Sequence, residues 1–167
     1  YGLRSLEIPA SVNEIGSSIH RNCVNLSSIT VAEGNTAYKA IDNCLLTADG
    51  QLLILGCKNS IIPDNVVTIY KAAFRGHSGL KEITLPRTLD AIGVYAFAGI
   101  ANDAIVTCLA YELGLITPSS FTSGNSITLR VYNTANYSNY SGYFGKIEAF
   151  PVIIADGTVD IFESLFD

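Results

Sequence analysis

Two histidines (His20, His77), three aspartates (Asp42, Asp49, Asp64) and four cysteines (Cys23, Cys44, Cys57, Cys108) are the side chains best suited to proton transfer, metal ligation or nucleophilic attack. Such chemistry needs a constellation: a base within reach of a nucleophile, or ligands at short, defined spacing. The spacing here supplies none. The histidines fall at different places in a repeat described below and read as structural or solvated. The aspartates lie on predicted turns, where Asp hydrogen-bonds its own backbone. The cysteines form no CxxC pair and read as small buried hydrophobes. Cys44 and Cys57 flank a predicted hairpin, so a disulfide between them is open to an exported protein. No GxSxG, HExxH or phosphate-binding glycine loop occurs. No catalytic residue, cofactor or metal is therefore predicted.

The tyrosines of "YNTANYSNYSGYF" (Tyr132, Tyr137, Tyr140, Tyr143) allow two readings. Each ring offers apolar area and a hydroxyl, which suits contact with protein or sugar. The preferred alternative is that they plug the end of a stack whose last layer would otherwise expose its core.

What must position these residues is a repeat. "IIPDNVVTIYKAAF" from Ile61 aligns with "TLPRTLDAIGVYAF" from Thr84, 23 residues on, pairing Pro63 with Pro86, Ile69 with Ile92 and Phe74 with Phe97. "IPASVNEIGSSIHRNC" fits the same frame through Pro9, Val12 and Ile15, with His20 at the aromatic position. One apolar column runs Leu6, Ile29, Ser60, Ile83, Val106, Leu129, Val152; another runs Ile8, Val31, Ile62, Leu85, Cys108, Val131, Ile154. Every step is 23 residues except that from the second coil to the third, Ile29 to Ser60 and Val31 to Ile62, which is 31, and only Ser60 of the fourteen is polar. Alternating apolar residues rich in β-branching mark a strand with one buried face. Strands at a fixed period predict a stack in which each coil buries what a single coil cannot.

The long step contains "NCLLTADGQLLILGC", two apolar runs around Asp49-Gly50. An Asp-Gly pair there predicts a hairpin, because a tight primed turn needs positive φ. Proline after the strand (Pro9, Pro63, Pro86) is expected to end ladder pairing. Gly16 and Gly93 are expected to permit the bend that follows. The class is an α/β repeat, mostly β, of about seven coils with one hairpin insertion. Residues 1–167 form a single domain: repeat coils over 1–126, the hairpin near 43–57, and capping coils over 127–167.

In each coil the residue between the two buried positions must point outward. That row reads Glu7, Thr30, Ile61, Thr84, Thr107, Arg130, Ile153, and its neighbour reads Ser5, Ser28, Asn59, Glu82, Ile105, Thr128, Pro151. Glu7, Thr30, Ile61, Glu82, Thr84, Ile105, Thr107, Thr128 and Arg130 are the candidate partner-binding residues. A Ser/Thr-rich row is equally what a solvated sheet tolerates. Ile61 and Ile105 lean toward function, being apolar on otherwise polar rows.

"LEIPASVNEIG", "IIPDNVVTIYKAAF" and "LKEITLPRTLDAIGVYAF" resemble the BspA-like leucine-rich repeat family of bacterial surface proteins. "NTAYKAIDNCLLTADGQLLILGCKNSIIP" resembles the family's hairpin-bearing variant, and "ITLRVYNTANYSNYSGYFGKIEAF" its terminal coil. Departures are His20 for the usual Phe, His77 and Ile100 where Cys23 sits, and Asp103 for a leucine. The last coils, in this reading, have lost the proline and the Ala-Phe pair. The resemblance implies a right-handed leucine-rich-repeat solenoid, export, a cell-surface or secreted location, and protein or matrix binding in some members. It carries over no catalytic residues.

Composition narrows the field further. Hydrophobic residues make up 49 % and charged ones 15 %, too apolar for a disordered chain. The longest aliphatic run, Leu52-Leu53-Ile54-Leu55, is far short of the ~20 residues of a membrane span. A net charge of −5 with scattered, non-adjacent lysines and arginines argues against nucleic acid. No methionine occurs, so the native start is expected to have been removed, preferably as an export signal. The expectation is a non-catalytic surface or secreted module that binds a protein or glycan through its concave strand ladder. The alternative is a structural spacer or assembly unit without a specific ligand.

Overall fold

The computed structural model describes residues 2–16, 19, 23–121 and 126–150. Within them the chain runs through β1 (Ser5–Ile8), β2 (Ser28–Val31), β3 (Tyr38–Ile41), β4 (Cys44–Thr47), β5 (Leu52–Leu55), β6 (Thr68–Ile69), β7 (Glu82–Leu85), β8 (Ala91–Ile92), β9 (Ile105–Cys108), β10 (Thr128–Val131) and β11 (Lys146–Ala149). Two walls emerge. The first carries the repeat strands: β1 pairs parallel with β2, and β7, β9, β10 and β11 pair parallel in that order. The register is one repeat per step, Ile83 to Val106 to Leu129. The second wall is the sheet β3-β4-β5-β6-β8, extended by a bridge from Ala91 to Leu115.

Proline starts the crossing between walls. β1 and β7 stop immediately before Pro9 and Pro86. The amides of Val12, Val66 and Leu89 then donate to the carbonyls of Pro9, Pro63 and Pro86 at 3.1–3.2 Å, so each proline opens the same turn. The apolar residue closing that turn points inward: Val66 and Leu89 are buried. Gly93 follows, for a reason other than the expected bend. No positive φ occurs there, but a Cβ would sit 2.6 Å from the Lys71 amide nitrogen of the preceding coil. Close approach requires this glycine. Gly16 has nothing within 4 Å of that position.

Past the second wall a column of phenylalanines fills the interior. Phe74 and Phe97 stack at 5.1 Å, Phe97 and Phe121 at 5.1 Å, and Phe121 meets Phe144 at 4.7 Å, tilted. The last coils therefore keep the aromatic although the Ala-Phe pair is gone. Ala-Phe has become Ser120-Phe121 and Tyr143-Phe144. The buried Ser120 hydroxyl donates to the Ile92 carbonyl at 3.1 Å, which satisfies it without water.

Between β2 and β7 the first wall is broken. Residues 59–62, where a strand was expected, form none. The cause is the turn joining β3 to β4, whose Asp42 and Asn43 have φ of 47° and 60°. It intrudes into the gap. Ile29 N–H donates to Asn43 Oδ1 at 3.3 Å, Asn43 Nδ2 donates to the Asn59 carbonyl at 3.4 Å, and Ile61 N–H donates to the Asp42 carbonyl at 3.1 Å. Ser60, the polar exception in its column, is explained here: its hydroxyl donates to the Asn43 carbonyl at 2.6 Å and accepts from Cys57 N–H at 2.8 Å.

β4 and β5 pair antiparallel around Asp49-Gly50, with Gly50 at φ 81°. Their continuous apolar run has a cause beyond the turn. Cys44, Leu46 and Leu53 belong to one core cluster, while Leu45, Ile54 and Leu55 belong to another that includes Ile8, Leu26 and Ile29. The strands partition two cores, so both faces are buried. All four cysteines are free and buried, so Cys44 and Cys57 stand as thiols.

Toward the carboxyl end, the strand beside β10 begins 18 residues after it, with Leu129 opposite Ile147 and Val131 opposite Ala149. The expected step of 23 would have placed it at Val152 and Ile154, which lie outside the described residues.

Candidate partner-binding face

The outward side of the first wall holds the nine residues singled out from the sequence, in two groups and one remnant. Glu7 and Thr30 are neighbours on β1 and β2 and are exposed. Ile61 stands alone at the break, 69 % exposed. Glu82 and Thr84, Ile105 and Thr107, and Thr128 and Arg130 lie in register across β7, β9 and β10. β11 continues the two rows with Lys146 and Glu148.

The ion pairs of this face lie at its β10–β11 end. Arg130 Nε donates to Glu148 Oε1 at 2.7 Å, directly across the strand pair, and Lys146 Nζ reaches Glu148 Oε2 at 2.5 Å. The Arg130 and Lys146 cations hold the Glu148 carboxyl below its usual range. Arg130 is thereby fixed in direction, with part of its donor edge already committed.

A third row was not read from the sequence. The residue just past each strand continues the alternation, giving Pro86, Leu109, Tyr132 and Phe150. The ladder reaches that far, since Leu109 N–H donates to the Leu85 carbonyl and Phe150 N–H to the Val131 carbonyl, both at 3.0 Å. Tyr132 and Phe150 rings lie 4.7 Å apart, and the Arg87 guanidinium sits 5.8 Å from the Tyr132 ring centroid. Stepping by 23 from Pro86 finds Leu109 and Tyr132. Phe150 escapes because the last step is shortened.

The other tyrosines turn inward. Tyr137 is buried, its hydroxyl donating to the Ala110 carbonyl at 2.7 Å and lying 3.3 Å from Cys108 Sγ. Tyr140 donates to the Leu113 carbonyl at 2.7 Å. Burial pushes the phenol of Tyr137 and the thiol of Cys108 upward, and the Cys44 thiol up to about 12. Neutral, buried sulfur is a poor nucleophile.

His77 is 1 % exposed and its Nδ1 has no hydrogen-bond partner. Burial pulls its pKa down, an effect only partly opposed by the nearby backbone of Gly56 and Val24. His20 lies outside the described residues. Asp42 lies in the β3–β4 turn. Asp49 caps its hairpin, accepting from Thr47 Oγ1 at 2.6 Å and Gln51 N–H at 3.0 Å, contacts that lower its pKa. Among the described residues no group of three or more His, Cys, Asp or Glu side chains is placed to hold a metal ion. No helix among them is long and apolar enough to cross a membrane.

Parallel strands one repeat apart, a proline-led turn and a stacked aromatic column match a sequence family. The model of the BspA-type leucine-rich repeat region matches residues 1–48 and 55–166 in six copies. The chain belongs to this family. The residues left unmatched, 49–54, are the Asp49-Gly50 turn and most of β5. A leucine-rich repeat protein from Eubacterium ventriosum shares the fold of this BspA-type chain, with a TM-score of 0.56 at 19 % identity over 87 % of this chain and 49 % of that one. The pneumococcal vaccine antigen PcpA is matched at a TM-score of 0.47 and 15 % identity, over 90 % of this chain and 56 % of that one. The BspA-type chain thus spans about half the length of these two solved structures. No curated protein matches it.

Proposed function

We propose that the chain is a non-catalytic binding module of a surface or secreted protein, taking a protein or glycan partner on the outward side of β7, β9, β10 and β11. It is read as a right-handed solenoid of about seven coils, with β4 and β5 as an inserted hairpin and residues 127–167 as the closing coils. Membership of the BspA-type family supports the repeat scaffold. The observation that carries the binding reading is the third row. Leu109, Tyr132 and Phe150 form a half-buried apolar strip with Arg87 over one ring, beside a row holding Thr84, Thr107 and Arg130. Aromatic and arginine side chains next to a polar row are the composition of recognition surfaces.

The experiment is a screen of the purified chain against matrix proteins, mucins and a glycan array. Two variants run beside it, Tyr132→Ala with Arg87→Ala, and Glu7→Ala with Thr30→Ala. A hit lost in the first and kept in the second supports the reading. A hit lost only in the second moves recognition to β1 and β2. No binding above background favours the spacer.

A further inference from the structure

Away from the strand face, the side where the turns cross carries a second concave feature. There the segments Arg75–Gly76, Tyr95–Gly99 and Pro118–Phe121 enclose an open cleft of about 580 Å³. That is within the range of small-ligand sites. We propose that this cleft binds an acidic sugar, its carboxylate held by Arg75.

Two observations converge. Tyr95 is 49 % exposed and has φ 59°, a conformation rare for a bulky side chain. The next coil fixes it there, because its N–H donates to the Ser119 carbonyl at 2.7 Å. Ala72, one repeat earlier, has φ 58° and donates to the Val94 carbonyl at 3.0 Å, so the left-handed position belongs to the repeat turn; what this coil adds is the exposed ring carried there. Second, the Arg75 guanidinium packs 5.3 Å from the Tyr95 ring centroid, and no carboxylate among the described residues pairs with it. A guanidinium over a ring face retains N–H donors for a planar anion, and carboxylate fits that fork bidentately. Gly76 and Gly99, at φ 81° and 77°, recur one repeat apart at the cleft's rim; their Cβ directions meet Val24 Cγ1 at 2.8 Å and Gly76 Cα at 3.4 Å, so both serve the packing of neighbouring coils.

Sugar is favoured over peptide by the backbone. An extended peptide docks by pairing with free main-chain groups. In the cleft, the N–H groups of Gly76, Tyr95, Phe97 and Ala98 are already committed to the carbonyls of Ala98, Ser119, Ser120 and Tyr95. Beside these the lining offers a cation, a phenol, the Ser119 hydroxyl shared with Thr117, and the apolar edges of Pro118, Ala98 and Phe121. A carboxylated ring with one apolar face meets those needs. The inference is independent of the strand-face reading, since it uses no residue of that face.

The test is titration of the ¹⁵N-labelled chain with 3′-sialyllactose, glucuronic acid, lactose and a tripeptide with a free carboxylate. The expected result is amide shifts at Gly76, Gly99 and Ser119 with the two acidic sugars and none with lactose. Arg75→Gln should weaken the acidic sugars at least about tenfold, and Arg75→Lys should recover only part of that loss. Tyr95→Gly, which removes the ring and relieves φ, should weaken them as well. Equal response to lactose, preference for the tripeptide, shifts centred on Tyr132, or binding indifferent to both Arg75→Gln and Tyr95→Gly would each overturn the proposal. Absence of shifts at millimolar sugar would overturn it too.

Discussion

The side-chain carbonyl of Asn43 accepts the main-chain hydrogen bond of Ile29 at 3.3 Å, in place of the strand neighbour that the repeat would have supplied. Its amide donates onward to the Asn59 carbonyl, so one side chain spans the break in the first wall. Asn is suited to this twice over: it carries both a donor and an acceptor, and it tolerates the φ of 60° found there. Asn43→Gly keeps the conformation and loses both bonds, for an expected cost of about 1–2 kcal/mol. Asn43→Ala adds the left-handed penalty, roughly 1 kcal/mol more. Urea denaturation should rank the two in that order; equal midpoints would show that backbone strain is absent.

Gly93 tests whether close approach, and not flexibility, selects the glycine. A Cβ there meets the Lys71 amide nitrogen at 2.6 Å and its Cα at 2.9 Å, both backbone atoms that cannot swing aside. Gly93→Ala should destabilise by about 1–3 kcal/mol. Gly16→Ala, with nothing within 4 Å, should stay within about 0.5 kcal/mol of the parent. Thermal melts of the two variants give the comparison.

Periodicity made the first wall legible, because Leu6, Ile29, Ile83, Val106 and Leu129 each repeat one local requirement: an inward apolar residue on a strand. It failed where a tertiary contact replaced that requirement. Ser60 keeps its place in the column but bonds to an intruding turn, which no residue near it announces. Phe121 and Phe144 hid behind Ser120 and Tyr143, since the sequence signal sought was the pair Ala-Phe and the structure needs only the ring. The outward rows of the candidate face were legible from alternation. Their charge state was not, because Glu148 reaches Arg130 only after the shortened step brings β11 beside β10.

The phenylalanine column gives a graded prediction. Phe97 is stacked on both sides, by Phe74 and Phe121, and is wholly buried. Phe97→Ala opens a cavity between three coils and should cost about 3–5 kcal/mol. Phe144 contacts one ring and is slightly more accessible, so Phe144→Ala should fall below that range. If denaturant midpoints show the two equal, the column contributes by area alone and stacking adds nothing.

His77 sets a pH dependence whose direction follows from burial. Its folded pKa lies below the ordinary 6.5, because the charged ring would lose its hydration in the interior and Nδ1 has no partner to compensate. As pH falls, the unfolded chain takes up the proton first. The contribution of His77 is therefore fully present above the unfolded value and is lost as pH drops through the folded one. One repeat later the equivalent position is Ile100, also buried, so His77→Ile has a fitting shape already present in the molecule. That variant should flatten the fall in stability between about pH 7 and pH 5, a window in which His is the side chain that ordinarily titrates. A His20→Gln variant, measured beside it, separates the other histidine. Urea midpoints across that range decide the matter: a slope surviving in His77→Ile but vanishing in His20→Gln would assign the proton to His20.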